Sequence, residues 1–93
     1  MHKNKLILRA IHKAIFWKTQ MDDDNTKTLS SIANDENLSV RYVRNIYRLN
    51  YLMPMIVKSL IKNENPKHLT INDFREDFPL SWAEQYKWFF GEE

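Results

Sequence analysis

Cysteine is absent from this chain of 93 residues, so neither a disulfide nor a thiolate metal site can form. The fold must rest on an apolar core, and the chain is long enough to build one modest core as a single domain. One glycine and three prolines supply too little turn chemistry for a sheet-rich fold, and no alternating apolar pattern marks a strand. No run approaches the roughly 18 apolar residues that span a bilayer. The start of the chain also lacks a compact apolar segment followed by a small-residue cleavage site. These absences predict an all-α domain over residues 1–93, with the cytoplasm as its default location and no membrane partner. The 43% hydrophobic and 28% charged content is that of an ordinary globular domain.

What is present is organised around residues 28–49, TLSSIANDENLSVRYVRNIYRL, which have the pattern of a helix-turn-helix. Thr28 and Ser39 stand where a hydroxyl caps a helix by accepting a bond from an unpaired backbone N–H, and Asn37 falls in the turn. On the first helix Leu29, Ile32 and Ala33 face inward, the small Ala33 letting the second helix cross close by. Leu38, Val43 and Ile46 complete the inner side. At about 100° per residue counted from Arg41, Val43 falls near 200° and Ile46 near 140°. Asn45 (about 40°), Arg44 (about 300°) and Arg48 (about 340°) gather around zero on the same count. One face packs; the other is basic and hydrogen-bonding. That division suits a helix laid in the major groove of double-stranded DNA, where arginine reads guanine edges and asparagine reads adenine. An amphipathic helix pair with solvated arginines produces the same pattern, so the pattern alone does not decide.

Charge is distributed unevenly. Residues 1–68 hold 12 Lys and Arg against 6 Asp and Glu, whereas residues 69–93 hold 2 against 6. The 26 residues from Asn37 to Lys62 contain Arg41, Arg44, Arg48, Lys58 and Lys62 and no acid. A nucleic-acid surface needs such a local excess, because each neutralised phosphate releases counterions.

Around this stretch the periodicity predicts further helices, five to six in all. From Lys5 to about Met21, the apolar residues Ile7, Ala10, Ile11, Ala14, Ile15 and Trp17 oppose Lys5, Arg9, His12 and Lys13. The basic face reads as solvated and the apolar face as a cover for the helix-turn-helix pair. Asp22 to Asn25 form a polar connection. They lack the alternate ligands and the glycine of a calcium loop, whose twelfth place is Ala33. Pro54 opens a helix with Met55, Ile56, Ser59, Leu60 and Ile61 toward the core and Lys58 and Lys62 outside, ending near Asn63. Thr70 and Asp73 resemble a cap for a short helix carrying Ile71 and Phe74. Ser81 and Glu84 form a capping box for a last helix with Trp82, Tyr86, Phe89 and Phe90, Trp88 beside them, and Gly91 as its stop. These aromatics either close the core against the first helix, the favoured reading, or make a contact with a partner protein.

Catalytic patterns are missing. His2, His12 and His68 share no ligand spacing, and neither H-E-x-x-H nor a glycine-rich phosphate loop occurs. No serine sits in a G-x-S-x-G context, and the adjacent carboxylates Glu76 and Asp77 point to different helix faces. The expectation is a protein that is not an enzyme, with no catalytic residue, cofactor or metal.

The Tyr42-Val43 pair followed by Arg44, then Arg48-Leu49, Leu52 and Pro54-x-Ile56-Val57, form a spaced set that continues with Leu69-Thr70 and Pro79-Leu80-x-Trp82-x-Glu84-Gln85. With these marks the chain resembles the helix-turn-helix segment associated with bacterial and phage serine site-specific recombinases of the resolvase and invertase class. The resemblance runs roughly from Leu6 to Phe90. A weaker one links it to the helix-turn-helix of ParB-like plasmid partition proteins. The recombinase resemblance implies DNA recognition by the second helix, without catalysis, because the nucleophilic serine of that family belongs to a separate catalytic domain. Asn37 departs from the glycine that many such turns carry, yet Asn tolerates a left-handed backbone better than most residues.

The resulting expectation is sequence-specific double-stranded DNA binding by a stand-alone accessory or remnant of a serine recombinase. Thr28, Ser39, Arg41, Tyr42, Arg44, Asn45 and Arg48 face the DNA. Arg41 and Asn45 are assigned to base edges, Arg44 and Arg48 to bases or phosphates, and Ser39, Tyr42 and Thr28 to the backbone. A recombinase catalytic chain or a second copy is the further partner. The alternatives are a protein-interaction domain with the helix-turn-helix as scaffold, and a transcriptional regulator of a mobile element using the same surface.

Overall fold

A computed structural model describes residues 4–64, 74 and 78–91. The described residues form five α-helices and one 3-10 turn, with no strand among them. The fold is all-α. The expected cap at Thr70 and Asp73 and the side chain of Ile71 lie outside the described residues, as do His2, His68, Glu76 and Asp77.

Helix α1, Lys5–Asp23, buries Ile7, Ile11, Ala14 and Trp17. These recur at intervals of four and three, so they form one stripe along the helix. Ile15 was expected in the stripe but is 53% exposed. At 100° per residue it lies about 90° round from the centre of that four-residue stripe. Asn4, at the start of α1, does not cap it. Its Nδ2 donates to the Leu60 carbonyl at 2.9 Å and to Asn63 Oδ1 at 3.2 Å, tying the first turn of α1 to the end of α4. At the other end Asp24 Oδ1 accepts from the N–H and hydroxyl of Thr26, at 3.0 and 2.7 Å, and turns the chain toward α2.

Helix α2, Leu29–Asp35, and helix α3, Val40–Tyr47, are joined by a short turn. Ile32 and Ala33 of α2 and Val43 and Ile46 of α3 are buried, and α3 packs against α1 and α2. The backbone then tightens into the 3-10 turn Arg48–Tyr51, which buries Leu49. Asn50 Nδ2 donates to the Ala14 carbonyl at 2.8 Å and fastens this turn to α1.

Met53, held extended by the following proline, leads into helix α4, Pro54–Ile61, with Pro54 at its first position as expected. Only Ile56 and Leu60 of α4 are fully buried; Met55 and Ile61, expected in the core, are exposed. They sit more than a quarter-turn from the Ile56–Leu60 line, which Met53 and Val57 widen instead. Asn63 ends the helix at φ 63°, with the Glu64 N–H donating to the Ser59 carbonyl at 2.9 Å and the Asn63 N–H to that of Leu60 at 3.2 Å. These are the two bonds of a Schellman stop.

Helix α5, Trp82–Phe90, is capped by Ser81, whose hydroxyl accepts from the Glu84 N–H, and stops at Gly91 with φ 90°. It buries Gln85 and Phe89. Phe89 joins the same buried core as the α1 residues, and Trp88 stacks on Phe78 and meets Phe74 edge-on, whereas Trp82, Tyr86 and Phe90 remain exposed. The buried apolar residues form one cluster running from Ile7 to Phe89, and burying each large aliphatic member contributes roughly 1.5–3 kcal/mol.

Candidate nucleic-acid interface

The α2–α3 pair is held at three points by its own polar residues. Thr28 and Ser31 form a reciprocal box, each hydroxyl accepting from the other's backbone N–H, at 3.1 and 2.9 Å. Ser31 thus takes the role that Glu or Gln usually fills. Asn37 occupies the left-handed region at φ 59°. The Leu38 N–H donates to the Ala33 carbonyl at 2.8 Å and the Asn37 N–H to that of Asn34 at 3.3 Å, a second Schellman stop with Leu38 against the core. Ser39 Oγ accepts from the Tyr42 N–H at 3.1 Å and caps α3, which starts at the next residue. A chain with one glycine therefore makes both of its described left-handed stops before α5 with asparagine.

With Val43 and Ile46 turned into the core, Val40, Arg41 and Arg44 are left exposed on α3 and Asn45 half-buried at the edge. Arg41 and Arg44 make no side-chain hydrogen bond or ion pair among the described residues; the ion pairs found there join Lys18 to Asp22 and Lys27 to Asp35. Thr28 and Ser39 are exposed at the starts of the two helices. No acidic side chain occurs on α3, the 3-10 turn or α4.

No family model, curated protein or solved structure matches this chain.

Two of the residues read as DNA-facing are placed elsewhere. Arg48 lies past the end of α3, in the 3-10 turn, so a 100° helical count does not locate it. Its guanidinium donates to the Phe78 carbonyl and lies 5.1 Å from the centre of the Phe78 ring, and its Nε is buried with no hydrogen-bond partner among the described residues. Arg48 belongs to the packing between the 3-10 turn and residue 78. Tyr42 is half-buried and lines a groove between α1 and α3, on the flank of the Arg41 face. Val40, which the sequence reading passed over, is 37% exposed beside Arg44. At about 100° per residue from Arg41, Val40 falls near 260° and Arg44 near 300°, and that angular nearness is the signal that places it on the same face.

Among the described residues there is no group of three His, Cys, Asp or Glu that could hold a metal ion, and no helix is long and apolar enough to cross a membrane.

Proposed function

We propose that this chain binds double-stranded DNA through the exposed face of α3, as a helix-turn-helix module without catalysis of its own. The observation that carries this reading is the pairing of Arg41 and Arg44 on the solvent face of a capped helix whose other face is locked into the core. Two arginines one turn apart, with no ion-pair partner among the described residues, supply the forked donors that guanine O6 and N7 accept. Asn45 is set for an adenine edge and Val40 for a thymine methyl. Ser39 keeps its hydroxyl proton for a phosphate while its oxygen caps the helix, and Thr28 is placed for a second backbone contact. Arg48 drops out of the contact set.

The resemblance to the serine recombinase segment, roughly from Leu6 to Phe90, supports a role beside a recombinase catalytic chain, in the cytoplasm where such DNA lies. Transcriptional control of a mobile element would use the same face. The exposed aromatics Trp82, Tyr86 and Phe90 favour a second reading, in which α5 docks a protein partner.

Selection of bound sequences from a random duplex library, followed by salt titration on the winner, tests the reading. The expected result is a short enriched site whose log affinity falls with log salt at a slope of about −0.9 per phosphate contacted. A palindromic site would add a second copy as partner. No enrichment and no binding at low salt would leave the α5 reading.

A further inference from the structure

A second surface lies beside the recognition face and has different chemistry. Between α1 and α3 runs an open groove of about 560 Å³. Its apolar walls are Leu6 and Phe16 of α1 and Tyr42 and Ile46 of α3, with Leu6 58% and Phe16 50% exposed. Arg9, His12 and Lys13 line the same groove, and Lys13 Nζ stands 6.0 Å over the Trp17 ring. The one acid there, Glu36, is already engaged, accepting from Trp17 Nε1 at 3.1 Å. Neither Arg9 nor Lys13 has an ion-pair partner among the described residues.

From these features we infer that the groove is the docking site for an acidic amphipathic helix of another protein. Leu6 and Phe16 are ten residues apart, which on a helix is about 15 Å, the length of roughly three turns of an occupant. A cavity of roughly 150 Å³ takes one benzene-sized group, so the groove has room for about three large apolar side chains, the usual anchor set of a helix in a groove. Glutamates and aspartates flanking those anchors meet Arg9 and Lys13 at the lip, where His12 also offers a ring N–H.

The other occupants fit less well. A phosphate backbone has no use for Leu6, Phe16 and Ile46. A flat bilayer surface would leave the concave space between Leu6 and Phe16 of α1 and Tyr42 of α3 unfilled. The α5 helix of a second copy presents Glu84 and Lys87 together and so lacks the negative excess that the lip calls for. Because Tyr42 and Ile46 belong to α3, an occupant of the groove touches the helix proposed to read DNA, and the inference holds whether or not that proposal does.

The test uses the full chain, isotope-labelled for NMR, and two designed helical peptides with Leu and Phe on one face and either Glu or Lys on the other. The Glu peptide is expected to bind and to shift the signals of Ala10, Phe16 and Tyr42, with the Lys peptide roughly tenfold weaker, as two exposed ion pairs allow. The double variant Arg9→Glu, Lys13→Glu, confirmed as folded by circular dichroism, should reverse that order. Equal binding of the two peptides, shifts confined to Trp82, Tyr86 and Phe90, or no shift at about 1 mM peptide would overturn the inference. So would sedimentation showing the chain alone as a dimer that the double variant disperses, because the groove would then belong to a second copy.

Discussion

Gln85 Oε1 accepts the Met53 N–H at 2.8 Å, across 32 residues of sequence, while its Nε2 donates to the Tyr51 carbonyl at 2.9 Å. The side chain is fully buried. It therefore satisfies two backbone groups at the point where the 3-10 turn gives way to α4, and makes α5 part of the same body as α3. Replacing it with Leu keeps the volume and removes the donors and acceptors. The Tyr51 carbonyl keeps the bond from Trp82 Nε1 at 3.2 Å, so the loss falls on the Met53 N–H. Leaving one such backbone group unpaired costs about 1–3 kcal/mol, and Gln85→Leu is expected to lower stability by roughly that amount. Urea denaturation followed by circular dichroism reads this directly, and an unchanged midpoint would show that the amide bridge is dispensable.

Arg48 is expected to behave as a structural residue. Arg48→Met retains the apolar stem but loses the bond to the Phe78 carbonyl and the contact with its ring, for a cost of about 1–3 kcal/mol. Its melting temperature should fall while the order of preference among duplex sequences is kept. A variant that melts normally and loses that order would return Arg48 to the DNA face.

The left-handed turns set a different pattern. Asn37 and Asn63 both hold positive φ, where glycine is unstrained and a β-branched residue is not. Asn37→Gly should leave stability within a few tenths of a kcal/mol, whereas Asn37→Val should cost about 1–3 kcal/mol. Comparable losses for both variants in thermal melts would mean that the Asn side chain, and not its backbone tolerance, is what the turn requires.

Asp24 gives a pH signature. The hydroxyl and N–H of Thr26 bond its carboxylate and hold the group below its ordinary value of 3.8. A carboxyl whose folded value is depressed contributes stability that is present above the unfolded value and lost as pH falls through the folded one. The melting difference between the wild type and Asp24→Ala should accordingly be constant near neutrality and close as the pH drops below 3.8. A difference that persists at lower pH would assign the effect to the turn's backbone alone.

Much of this arrangement is legible in the sequence, because it rests on local chemistry. Thr28 and Ser39 announce their helices, Pro54 announces α4, and Gly91 stops α5, since each acts on backbone within four residues of itself. Ile7, Ile11, Val43 and Ile46 follow from helical period. What escapes depends on partners far along the chain. Nothing near Arg48 reveals that Phe78 lies against it, and the change from α to 3-10 geometry at residue 48 removes the angular count that grouped it with Arg41. Ile15, Met55 and Ile61 are apolar residues left outside because the stripe is narrower than the apolar content of its helix. Gln85 shows the converse, a polar residue drawn into the core by the backbone groups of Tyr51 and Met53.

If Arg41 reads a base edge, the ratio of specific to non-specific duplex affinity depends on its side chain. That ratio should be measured for the wild type and Arg41→Ala at matched salt, on the selected site and on a scrambled duplex. A good bidentate base contact is worth about 1–3 kcal/mol of discrimination, so the ratio should fall by roughly 5- to 150-fold while affinity for the scrambled duplex changes far less. An unchanged ratio, or an equal loss on both duplexes, would contradict the assignment of α3 to the major groove.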